Sequence, residues 1–114
     1  MTLNKTSIII PIWERELIIM FGGKFSDLEK EAAKVSKIKS AITHESSARG
    51  GSYFCHKTGT GILWFPVKKI DTDTLTHEIT HIIDELFKYI GAENESEARA
   101  YTAGWIASKL KEFR

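Results

Sequence analysis

The clearest pattern of apolar and polar positions runs from Asp71 to Ile90 and predicts one amphipathic helix. Its apolar residues recur at intervals of three and four, which places them on one face of an α-helix. They are Leu75, Ile79, Ile82, Ile83, Leu86, Phe87 and Ile90. The acidic and hydroxyl side chains from Asp71 to Thr74 can cap the helix and place acid at the positive end of its dipole. Gly91 is typical of a residue that ends a helix.

Two short apolar runs near the start of the chain predict a pair of strands. Ser7–Trp13 and Glu16–Phe21 are rich in isoleucine, which is typical of buried strands. Pro11 cannot donate a backbone hydrogen bond, so it favours the edge of a sheet for the first run. We expect the turn between the two strands at Glu14–Arg15.

The middle of the chain predicts a helix followed by a hairpin. Ser26 and Glu29 have the spacing of a capping box, and an apolar helical stripe continues from there to about Lys37. Ser52–His56 and Gly61–Val67 have the composition of two strands around a short turn. With the helices that follow, this order predicts an α+β fold in which a small sheet covers the apolar stripe of the long helix.

Length, charge and cysteine content narrow the class of protein. The 114 residues are enough for one domain, spanning residues 1–114, with a real core. A net charge of +1 argues against a dedicated nucleic-acid binder, which usually shows a basic stripe. The apolar runs are too short to span a membrane, no signal peptide is visible, and the single Cys55 excludes an intrachain disulfide. We expect a cytoplasmic or virion-associated protein.

The motif His77-Glu78-Ile79-Thr80-His81 predicts a metal site on the long helix. Positions four apart share one face of a helix, so His77 and His81 can present two imidazole nitrogens to one metal ion. Glu78 is free to polarise a water molecule held on that metal. Both histidines lie opposite the apolar stripe, which disfavours a role in the core. The alternative is an ordinary solvated face.

A third ligand is needed, because a catalytic zinc site takes three protein ligands and leaves one position for water. Three carboxylates lie just before or within the final helix, at Glu93, Glu95 and Glu97. If the segment is helical, Glu95 and Glu97 lie on nearly opposite faces and cannot serve equally well. We select Glu97 and leave Glu93 and Glu95 open.

Glu97 begins a row of side chains that we expect to face the histidine helix. Its other members are Tyr101, Gly104 and Ser108, and Gly104 would allow the two helices to approach closely. Tyr101 could hydrogen-bond a ligand or a substrate carbonyl. The alternative is that Asn94 and Glu97 form a loose capping box, in which the carboxylate binds the backbone instead of a metal.

These motifs resemble those of the gluzincin type of zinc metallopeptidase, in which HExxH is joined by a glutamate on the next helix. The matching segments are His77-Glu-Ile-Thr-His81, Glu97-Ala-Arg-Ala-Tyr101 and Gly104-Trp-Ile. The chain is most similar to small zincin-like proteins of phages and prophages, and also resembles minigluzincins and ImmA/IrrE-type peptidases. The resemblance implies zinc on His77, His81 and Glu97, with Glu78 as general base. Thermolysin-like relatives carry aspartate where this chain has Tyr101, so their substrate preference does not carry over.

The resemblance also implies a zincin-like fold and a peptide or protein substrate. Such a fold has a small mixed sheet with one backing helix, an active-site helix and a C-terminal ligand helix. A sheet edge lies beside the metal, and we expect Gly59–Phe65 to form that edge and to pair with an extended substrate. The alternative for Trp64 and Phe65 is core packing.

Other functions remain open at this point. The same ligands could hold zinc without catalysis, as in a structural or regulatory protein of a phage or prophage. A di-iron site would need a second Glu-x-x-His motif, which the sequence lacks. We interpret His44, Cys55 and His56 as structural or incidental, since adjacent residues on a strand point to opposite faces and cannot easily share a metal.

Overall fold

The computed structural model describes residues 2–38 and 49–113, and in this part of the chain four strands and three helices are present. In chain order they are β1 (Asn4–Ile10), β2 (Arg15–Phe21), α1 (Phe25–Ser36), β3 (Gly51–Cys55), β4 (Thr60–Phe65), α2 (Thr72–Tyr89) and α3 (Ser96–Phe113). This mixed α/β layout agrees with the predicted α+β class. Among the described residues, no helix combines the length and apolar character needed to cross a bilayer.

The four strands form one mixed sheet in the order β1-β2-β4-β3. β1 and β2 are an antiparallel hairpin, β2 and β4 run parallel, and β3 pairs antiparallel with β4. The expectation that Gly59–Phe65 forms a sheet edge is therefore wrong, because β4 is central and the edge strands are β1 and β3. Every residue of β4 is buried, as expected for a strand whose two faces are both covered.

Helices cover both faces of the sheet and create two apolar clusters. On one face, α2 and α3 pack against Leu17, Leu63 and Phe65. On the other face, α1 packs through Leu28 and Ala32 against residues that include Trp64. Trp64 and Phe65 are 2% and 0% exposed, so the core-packing interpretation of these aromatics is confirmed.

The start of α1 differs from the sequence prediction by two residues. The Asp27 carboxylate accepts a hydrogen bond from the backbone N–H of Lys24, with 2.7 Å between Oδ2 and N. The predicted capping box at Ser26 and Glu29 is therefore wrong, and the helix begins at Phe25. The difference leaves the apolar stripe of the helix in place.

The turn between β1 and β2 fastens the hairpin to the two C-terminal helices. Pro11 ends β1 earlier than predicted, and the Pro11 carbonyl accepts a hydrogen bond from the Trp13 N–H across a left-handed Ile12. The Trp13 indole lies edge-on to the Phe87 ring of α2 at 5.5 Å and donates to Thr102 Oγ1 of α3 at 3.4 Å. This one side chain therefore links the hairpin to both helices.

Two glycines, one in crowded and one in open surroundings, give a matched test of how tightly the chain packs around them. Gly59 has a φ of +74°, and a Cβ atom there would lie 2.7 Å from Cε2 of Tyr89. We expect Gly59→Ala to destabilise the protein by at least about 1–2 kcal/mol, the cost of a left-handed alanine. Gly104 lies in α3 and a Cβ atom there meets nothing within 4 Å.

Gly104→Ala should therefore stabilise the protein by about 0.8–1 kcal/mol, because alanine is the better helix former. Urea unfolding of the two variants measures both effects. A destabilised Gly104→Ala variant would contradict the open surroundings of Gly104 and would restore the predicted close approach of the two helices.

Candidate metal centre

The orientation of α2 exposes both histidines of the motif. Ile79, Ile82, Ile83, Leu86 and Phe87 are buried against the sheet and α3, whereas His77 and His81 are exposed. At about 100° per residue, His77 lies on the opposite side of the helix from Leu86. The predicted helix and the predicted position of the imidazoles opposite its apolar stripe are both confirmed.

The two imidazoles converge at the surface of α2. The Nε2 atoms of His77 and His81 lie 3.1 Å apart, and the ring planes are nearly perpendicular. Two nitrogen ligands on one tetrahedral zinc ion, each at about 2.0–2.1 Å, would be separated by about 3.4 Å. The pair therefore fits a shared metal ion with little movement, or a hydrogen bond when only one Nε2 carries a proton.

Glu78 lies between the histidines in sequence and at the border of the buried face. It is 5% exposed. Among the described residues it makes no side-chain hydrogen bond or ion pair, and no fully buried side-chain oxygen or nitrogen lacks a partner. The Glu78 carboxylate must therefore reach water while most of the side chain is shielded. A partly shielded carboxylate in contact with water can act as a general base.

The flank of α2 that carries Glu78 runs beneath the edge strand β3. Thr74 lies one turn before Glu78 and close to Gly50. A Cβ atom added to Gly50 would be 3.1 Å from Thr74 Cγ2. Glu85, two turns after Glu78, contacts His56 just beyond the other end of β3. Glu78 lies between these two contacts on the helix. The candidate base is thus placed beside the sheet edge.

The structure does not bring Glu97 to the histidine pair. Glu97 is exposed on the first turn of α3, and Tyr101 is 60% exposed on the same side. Within residues 2–38 and 49–113, no group of three or more His, Cys, Asp or Glu side chains is placed to hold a metal ion. Glu97 as third ligand and Tyr101 as its helper stay predictions without support from this arrangement.

The rotation of α3 explains this placement. Thr102, Ile106 and Leu110 are buried, and at about 100° per residue Glu97 lies on the opposite side of the helix from Ile106. Gly104 is exposed on that outer side as well. The expectation that the row from Glu97 through Gly104 faces α2 is therefore wrong, because the buried stripe of α3 lies on its other side.

Arg99 of α3 forms an ion pair with the histidine helix. Its guanidinium donates to the Asp84 carboxylate of α2 and lies 5.6 Å from the centroid of the Phe87 ring. Asp84 is thus engaged by an arginine. The alternative capping box is also absent, because α3 begins at Ser96 and the Asn94 side chain makes none of the described hydrogen bonds.

An imidazole–carboxylate contact lies on the same flank of α2 as Glu78. His56 Nε2 is 2.9 Å from Glu85 Oε1, and Lys88 Nζ is 3.2 Å from Glu85 Oε2. The His56 ring also contacts Phe54 and Tyr89 edge-on. His56 is thus part of a defined contact between the β3–β4 hairpin and α2. Its neighbour Cys55 is buried, and His44 lies outside the described residues.

The hydrogen bond from His56 lowers the pKa of the Glu85 carboxyl, and Lys88 adds to this effect, although partial burial opposes it. A carboxyl whose pKa is lower in the folded protein than in the unfolded chain stabilises the fold at pH values above its unfolded-state pKa. This stabilisation is lost as the pH falls through its folded-state pKa. The contact therefore strengthens the attachment of the hairpin at neutral pH.

No family model, curated protein or solved structure matches this chain. The resemblance to the gluzincins therefore rests on the residues of the chain itself, and the family stays a prediction. The paired nitrogens of His77 and His81 are the geometric feature that agrees with it.

The pH dependence of the hairpin contact can be tested with Glu85→Gln. We expect this variant to be less stable than the wild type at pH 7 by less than about 1 kcal/mol, because both partners are partly exposed. The difference should shrink as pH falls below 4.5, the ordinary value for this carboxyl. Urea unfolding at pH 7 and pH 3.5 measures it, with the exposed Glu29→Gln as control. A difference that grows in acid would contradict the assignment.

Proposed function

We propose that this chain is a zinc-dependent metallopeptidase in which His77 and His81 bind the metal and Glu78 is the general base. The observation that carries the proposal is the 3.1 Å separation of the two Nε2 atoms on an exposed helix face. Histidines with this spacing and direction suit a divalent metal better than a core or capping role. The partly shielded Glu78 beside them adds the base that hydrolysis requires.

The proposal includes a zincin-like fold. Its support is a mixed sheet backed by α1 on one face, with the motif helix α2 on the other and the antiparallel β3 at the edge. The outer edge of β3 pairs with no other described strand. An extended peptide could add to this edge by backbone hydrogen bonds, and its scissile bond would then run alongside the flank that carries Glu78.

The chemistry divides between the metal and the chain. A zinc ion held by the two imidazoles would lower the pKa of a bound water to about 7 and polarise the substrate carbonyl. Glu78 would accept the proton of the attacking water and donate it to the leaving amine. β3 would hold the peptide extended, so that the reacting carbonyl is fixed relative to the carboxylate.

The third protein ligand is the part of the proposal that rests on sequence alone. Glu97, with Glu93 and Glu95 as alternatives, is on or just before the first turn of α3. None of the three takes part in a described ion pair. Tyr101 is the proposed partner for the substrate oxygen. The runner-up function is a zinc protein without catalysis, in which the open positions are filled by further protein ligands.

Zinc binding is the first test. Wild-type protein freed of metal should bind zinc, and a zinc concentration 100-fold above the Kd should stabilise the fold by up to about 2.7 kcal/mol. His77→Ala and His81→Ala should lose both the bound metal and the stabilisation, because each removes one of two converging nitrogens. Metal analysis and thermal unfolding measure the two effects.

The matched control is His56→Ala, which removes another exposed histidine and should keep the metal. Glu97→Ala, Glu93→Ala and Glu95→Ala identify the third ligand by the variant that weakens binding. Zinc retained in both His77→Ala and His81→Ala would refute the site.

Catalysis is tested separately with Glu78→Gln. This variant should bind zinc and fold as the wild type does, but cleave a peptide library at least about 100-fold more slowly, since the base is lost. Glu85→Gln, on the same flank of α2, is the control and should retain turnover. Wild-type protein that binds zinc without any turnover would favour the non-catalytic function.

A further inference from the structure

The histidine pair supplies half of a tetrahedral zinc site on an open helix face. The exposed His77 and His81 place their Nε2 atoms 3.1 Å apart. Nowhere in the described ranges does a third His, Cys, Asp or Glu join them in a metal-holding group. A structural zinc ion takes four ligands. Two further ligands would therefore complete such a site.

We infer that a second copy of this chain supplies these two ligands, so that one zinc ion joins the α2 helices of two protomers. A two-fold axis through the ion would place His77 and His81 of each protomer around it, giving four imidazole nitrogens in a closed tetrahedral site. The contact would be isologous, with the same surface on both sides, which is the commonest symmetry of soluble oligomers.

The direction of the imidazoles suits this contact. His77 and His81 lie on the side of α2 away from the sheet, so they face outward from the helix layer. At about 100° per residue, the helix positions that share that side are Asp73, Asp84 and Lys88. A second molecule on this face would meet the two imidazoles together with these charged side chains.

Two of the three charged residues near the pair are paired within the chain, whereas Asp73 makes no described ion pair. Asp84 is bound by Arg99, and Lys88 by Glu85. The whole chain carries a net charge of only +1 at neutral pH. Two copies therefore repel each other weakly, and bringing the α2 faces together opposes no large like charge.

This inference rests on the metal binding of the proposed function and not on its catalysis. In the bridged pair all four positions of the zinc ion are filled by imidazoles, which leaves none for water or substrate. The bridged form takes one zinc ion per two chains, whereas the catalytic form takes one per chain. Stoichiometry and mass therefore separate the two.

The test is a zinc titration of the full chain after chelation, followed by sedimentation velocity. The mass should rise to twice the 12.9 kDa of the single chain as zinc reaches half an equivalent. It should fall back under excess zinc, because each chain can then keep its own ion. A chelator should also restore the monomer. His77→Ala and His81→Ala should remain monomeric with unchanged circular dichroism, and His56→Ala should dimerise as the wild type does.

Each other outcome has a distinct meaning. A monomer with one zinc ion per chain overturns the bridge and leaves the peptidase proposal standing. A dimer that persists in His77→Ala, or after chelation, overturns it by revealing a different interface. A bridged dimer whose excess-zinc form shows no Glu78-dependent turnover supports the bridge and counts against the peptidase. Absence of zinc binding refutes both.

Discussion

The burial of the apolar stripe of α2 fixes the position of everything else in the candidate site. Five aliphatic and aromatic side chains of this helix are packed against the sheet and α3. At about 1.5–3 kcal/mol each, they contribute roughly 8–15 kcal/mol. An exposed ion pair contributes less than about 1 kcal/mol. No surface contact can therefore rotate the helix, and the packing of the core holds the imidazoles outward.

The strength of apolar burial also explains why the sequence predicted the orientation of α2 correctly and that of α3 incorrectly. The stripe of α2 is long and apolar, so its buried face is unambiguous. In α3 a threonine is buried while Tyr101 is exposed, and the small residues of the outer row imitate a helix contact. A periodicity identifies a helix, but it does not say which neighbour each side will meet.

Contacts between distant parts of the chain could not be predicted, because a local sequence pattern does not specify which segments meet. β4 pairs in parallel with β2 across α1 and β3, so no local pattern could show that it is central. The run of apolar residues in β4 was the available signal, since a strand buried on both faces reads this way. His56 and Glu85 are 29 residues apart, and their meeting depends on the register of the β3–β4 hairpin.

The locality of the histidine pair has a consequence for how the chain would fold. Because both imidazoles come from successive turns of one helix, they can chelate a metal before any tertiary contact forms. A chelated ion would fix that turn and offset the unfavourable first step of helix formation. It would also bind the unfolded chain, so part of its affinity would not appear as native stability. Metal on this protein would act as a nucleating agent for α2 as well as a ligand of the finished fold.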